Sequence, residues 1–84
     1  MRIAAQLRAA RSLLDWKQTE LAKKSGVGIA TIRRLEAQSD ILRGMSKTVW
    51  KLQKALEDGG VVFIDGDEST GPGVRLSKPL SDNG

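Results

Sequence analysis

Two short helical patterns with a glycine break between them constrain this chain more than any other feature. Leu21 and Ala22 give an inward face to a helix from about Gln18 to Lys24. Ile32 and Leu35 do the same for one from about Ile29 to Ala37. Ser25-Gly26-Val27-Gly28 interrupts them, because Gly26 accepts the positive φ of a tight turn. A further helix precedes the pair, with Ile3, Leu7, Ala10 and Leu14 at helical spacing. Gln38 to Gly44 reads as loop. Ser46 is an N-cap for a fourth helix through about Leu56, with Val49, Leu52 and Leu56 inside.

After Glu57-Asp58-Gly59-Gly60 the period changes. Val61-Val62-Phe63-Ile64 is β-branched and aromatic, too short for a helix, and predicts a strand. Turn formers fill Asp65 to Gly73, Val74-Arg75-Leu76 predicts a returning strand, and Pro79 to Gly84 a disordered tail. The expected architecture is mainly α, with four helices and a C-terminal β-strand or hairpin. Its boundaries are a helical unit over 1–58, a β tail over 59–78 and a loose end over 79–84.

The residue inventory narrows the chemistry. There is no cysteine and no histidine among the 84 residues. That removes disulfides, thiolate and imidazole metal sites, and the commonest nucleophile–base pairs. The remaining carboxylates, lysines and hydroxyls form no catalytic constellation, so the expectation is a non-enzyme without metal or cofactor. No apolar run approaches a membrane span, and the first residues enter an Arg-bearing helix rather than a signal peptide, so a cytoplasmic protein is expected. Residues 1–56 hold twelve basic and four acidic residues, a balance of +8. Residues 57–84 hold two and six, a balance of −4. The first part therefore suits a polyanion, although charge alone is equally the mark of a solvated helix surface.

Two ions lie on apolar faces. Arg11 is about 40° from Leu7 on the first helix, and Glu36 about 40° from Ile32 on the third. Each alone would be expensive to bury. The economical arrangement pairs them and ties the two helices together; the alternative is that both extend to solvent. Opposite Ile32 and Leu35 lie Ala30 and Arg34, flanked by Arg33 and Ala37. A small residue early in a helix admits close approach, and Arg34 one turn later is able to fork onto guanine O6/N7 or a phosphate.

Gln18-Thr-Glu-Leu-Ala22, Ser25-Gly26-Val27 and Ile29-Ala-Thr-Ile-Arg-Arg-Leu-Glu36 resemble the helix-turn-helix of Cro/C1-type phage repressors and bacterial regulators. The resemblance covers about residues 3–56. It implies a DNA-binding transcriptional regulator that acts as a dimer, in the bacterial cytoplasm at the nucleoid. It also implies base contacts from Ala30, Thr31 and Arg34, with Arg33 beside them, and a phosphate contact from Gln18 and from Arg43. Arg11 and Glu36 match the family's buried ion pair. Three features depart from the pattern. Lys17 stands where a Ser, Thr or Asn usually caps the second helix, and its amine gains reach toward phosphate. Gly28 replaces the common Ser or Thr before the third helix, admitting close backbone approach. The resemblance implies a five-helix or shortened four-helix domain, and here a strand-like tail replaces the fifth helix; short regulators with such a tail resemble those of alphaproteobacteria and mobile elements.

The tail has apolar side chains on both faces, and a lone two-stranded hairpin is marginal in water. Val61, Val62, Phe63, Ile64, Val74 and Leu76 are therefore expected at a homodimer seam. The strands would form a four-stranded sheet or an exchanged strand, and set two recognition helices about one DNA turn apart. The alternative is a hairpin folded on its own helices. Such a regulator either blocks RNA polymerase or activates by touching it. A competing function is the DNA-binding antitoxin of a toxin–antitoxin pair, with the tail gripping the toxin. Another is a protein-interaction module or a basic membrane-surface helix, with Lys47, Lys51 and Lys54 as a stripe on the fourth helix, although the opposite face is needed for the core and solvation is the simpler account of the stripe.

Overall fold

The computed structural model describes residues 1–2, 4–38 and 46–79. Four helices, α1 (Ala4–Leu13), α2 (Gln18–Ser25), α3 (Ile29–Glu36) and α4 (Lys47–Gly59), precede strands β1 (Val61–Ile64) and β2 (Gly73–Leu76). The mainly helical architecture with a C-terminal hairpin is the one the periodicity predicts. No described helix is long and apolar enough to cross a membrane.

Boundaries move where capping decides them. α1 ends in a turn through Asp15, which tolerates a left-handed φ of 56°. α4 starts after Ser46, whose hydroxyl accepts the Val49 N–H at 3.2 Å. It runs three residues past the expected end at Leu56. Its stop is Gly60, left-handed at φ 115°, whose N–H returns to the Glu57 and Leu56 carbonyls. Lys54 pairs with Asp58 at 3.5 Å one turn apart, which offsets the poor placement of acids at a helix C-terminus. β2 begins at Gly73 rather than Val74, because Gly73 pairs with Ile64. Of the expected loose end over 79–84, only Pro79 is among the described residues, exposed and outside regular structure.

One core serves the helices and the hairpin together. Leu7, Leu21, Ile32, Leu52 and Leu56 are fully enclosed, and Met1, Ala4, Ala10, Val27, Val49, Ala55 and Val61 complete the cluster. The strands pair with each other within the chain, antiparallel, Val61 opposite Leu76 and Phe63 opposite Val74. Alternation turns Val61 inward (2 % exposed), with Phe63 and Val74 partly buried against the same core. Val62 and Ile64 take the other face, where Ile64 is 41 % exposed. Gln6 of α1 stitches the hairpin down, its Nε2 donating to the Gly73 carbonyl at 3.0 Å and to the Ile64 carbonyl at 3.4 Å. The helices thus cover one face of the tail, and of the six residues expected at a dimer seam Val62 and Ile64 lie on the outer face.

Candidate nucleic-acid interface

The turn between α2 and α3 is built from backbone geometry. Gly26 adopts φ 75° and donates its N–H to the Ala22 carbonyl. Ser25 Oγ accepts the Val27 N–H at 3.1 Å, and Val27 drops into the core. Gly28 then caps α3 in extended conformation without a side chain, its carbonyl accepting the Thr31 and Ile32 N–H groups at 3.1 Å. A Cβ added at Gly28 would meet nothing within 4 Å, so its surface is open. At the start of α2 Lys17 is exposed and makes no side-chain cap, which forgoes about 1 kcal/mol relative to Ser or Asp.

α3 divides cleanly. Ile32 and Glu36 are buried, Leu35 and Thr31 are half-buried, and Ala30, Arg33, Arg34 and Ala37 are exposed. The polar side of the clamp is the expected one. Arg11 Nε donates to Glu36 Oε2 at 2.8 Å and Arg11 Nη2 to Oε1 at 2.9 Å, a two-pronged pair with side chains 22 % and 6 % exposed. The bonds to Glu36 raise the Arg11 pKa above its ordinary value, so the guanidinium stays charged. Its third prong, Nη1, donates to the Trp16 carbonyl at 2.9 Å and thereby fixes the α1–α2 connection.

Three partners were not legible in the sequence. Arg8 Nη1 donates to the Glu36 backbone carbonyl, so both ends of that residue are gripped from α1. Gln18 Nε2 donates to Glu36 Oε1 at 3.1 Å, turning an expected phosphate contact inward as well. The Trp16 indole lies against Gly59 of α4, with Lys24 Nζ 5.1 Å from its ring centroid. Helical wheels relate residues of one helix only; these contacts join different elements.

The clamp therefore holds α3 by its inner face and its C-terminal turn. It leaves Ala30, Arg33 and Arg34 outward, with Lys17 and Gln18 at the start of α2. Arg43, expected on phosphate, lies outside the described residues. No group of three or more Asp or Glu among the described residues is placed to hold a metal ion.

A family model described as helix-turn-helix matches residues 7–57, from Leu7 on α1 through Glu57 near the end of α4. The match covers well over half of the chain and stops short of the hairpin. No curated protein matches the sequence. With the Gly26 turn, the outward α3 face and the Arg11–Glu36 clamp all inside the matched span, the chain belongs to the Cro/C1-type helix-turn-helix family of DNA-binding regulators.

Proposed function

We propose that the protein regulates transcription by binding a roughly palindromic operator as a homodimer, with α3 in the major groove. Arg34 reads a base, forking onto guanine O6/N7, and Ala30 lets the helix approach while Thr31 and Arg33 flank the contact. Lys17, Gln18 and Gly28 meet the phosphate backbone, as does Arg43. The observation that carries this reading is the exposure of Ala30, Arg33 and Arg34 on a helix whose opposite face is pinned by Ile32 and Glu36. A rigid helix with its reading side free loses little order on binding. The outer hairpin face, Val62 and Ile64, joins the two copies.

Selecting bound sites from random DNA tests the whole proposal, since it reports palindromy, spacing and base preference together. Arg34→Ala is then expected to cost about 1–3 kcal/mol on the selected site and to relax preference at one base position. An equal loss on every sequence would make Arg34 a phosphate contact instead.

A further inference from the structure

The Arg11–Glu36 pair faces more than the seam between α1 and α3. We propose that it also aims the Gln18 carboxamide toward DNA, making Arg11 and Glu36 positioning residues for a phosphate contact. This rests on the DNA-binding face proposed above.

Glu36 Oε1 receives both Arg11 Nη2, at 2.9 Å, and Gln18 Nε2, at 3.1 Å. A carboxylate only accepts, so the Gln18 amide must turn its nitrogen to Glu36 and not its oxygen. Reversing the amide would press two lone-pair-bearing oxygens together. The acceptor is itself immobile: Arg11 grips both carboxylate oxygens and anchors to the Trp16 carbonyl, while Arg8 holds the Glu36 backbone. One Gln18 N–H is thereby committed inward. The second N–H of the same planar group necessarily points away from Glu36, on a half-buried residue next to exposed Lys17.

The charge arrangement permits this use. An unpaired Glu36 would repel a phosphate brought to Gln18, but Arg11 neutralises it. A glutamine that must be ordered on binding loses rotamer freedom. One already held loses less, an advantage of up to roughly tenfold in affinity.

The test combines Gln18→Ala and Glu36→Gln, singly and together, in DNA titrations well below each variant's unfolding midpoint. The probes are the selected operator and an unrelated duplex. Gln18→Ala is expected to weaken both duplexes by a similar factor, about tenfold or more for a lost hydrogen bond to a charged phosphate. It should leave the salt dependence unchanged, because a neutral amide displaces no counterion. Lys17→Ala instead flattens the slope by about one. Glu36→Gln also frees the Arg11 charge, which favours both duplexes in either background, so its effect is expected to be less favourable when Gln18 is present than when it is alanine. The same change in both backgrounds would overturn the proposal, since Glu36 would then act only through the fold or its charge.

If Glu36→Gln fails to fold, side-chain amide NMR of the unaltered protein decides. One Gln18 N–H should exchange slowly with solvent while only the other shifts on adding DNA; equal, fast exchange of both refutes the orientation. If the unaltered protein binds neither duplex, the functional reading fails. The exchange measurement then still judges the orientation on its own.

Discussion

Gly59→Ala sets two physical effects against each other. Gly59 is the last residue of α4. Helix propensity alone favours alanine there, by up to about 1 kcal/mol. The tertiary structure opposes it. A Cβ on Gly59 would lie 2.6 and 2.7 Å from Trp16 Cη2 and Cζ2, and 2.9 Å from Leu14 Cδ1. Ordinary carbon contacts need roughly 3.5–4.0 Å, so the indole must retreat by about 1 Å. Overpacking of this kind costs about 1–3 kcal/mol, which exceeds the propensity gain. The expected net effect is a destabilisation of about 1–2 kcal/mol, seen as a midpoint lowered by roughly 4–8 °C per kcal/mol in a domain this size.

Thermal and urea unfolding measure it. Fluorescence in a Trp50→Phe background isolates Trp16, since Trp50 is exposed. In a Trp16→Ala background the two closest contacts disappear and only the 2.9 Å approach to Leu14 Cδ1 remains, so the cost of Gly59→Ala should shrink markedly. A raised midpoint for Gly59→Ala in the unaltered background would refute the reasoning, because the indole could not then be seated on that glycine.

Further tests address the clamp, the loop and the seam. Glu36→Ala strands Arg11 and Gln18 and should cost roughly 3 kcal/mol in urea unfolding, while Arg11→Met with Glu36→Leu recovers much of it. Asp67 accepts the Ser69 and Thr70 backbone N–H groups and both hydroxyls, which lowers its pKa from 3.8 to about 2. A depressed carboxylate pKa means the loop's order is complete above the unfolded value and is lost as pH falls toward 2. Ser69 and Thr70 amide shifts should therefore titrate near pH 2, and a midpoint at 4 would mean the turn is not formed. Val62→Lys with Ile64→Lys is expected to halve the mass seen by light scattering while preserving the helical circular dichroism. An unchanged mass refutes the proposed dimer through this face.

The order of elements and the location of the clamp were legible because both depend on local facts. Periodicity is a property of neighbours along the chain, and it fixed where α1 to α4 and β1 fall to within three residues. An ion on an apolar face is equally local. Two such misfits, Arg11 and Glu36, have one economical solution, and their bonds at 2.8 and 2.9 Å supply it. The outward set Ala30, Arg33 and Arg34 followed from the same wheel.

Other features depended on which surfaces meet. Gln18 and Arg8 converge on Glu36 from two further positions, and no wheel on α2 or α1 relates them to α3. The hairpin's inner face could not be chosen from a strand apolar on both sides; α1 and α4 chose it by enclosing Val61 and leaving Ile64 out. Gly59 reads as a turn residue until the Trp16 ring is placed on it. Sequence alone settled which side of each helix is apolar, because that follows from the side chains and their helical spacing. The tertiary structure decided which partners share the space, because that depends on where the helix axes cross.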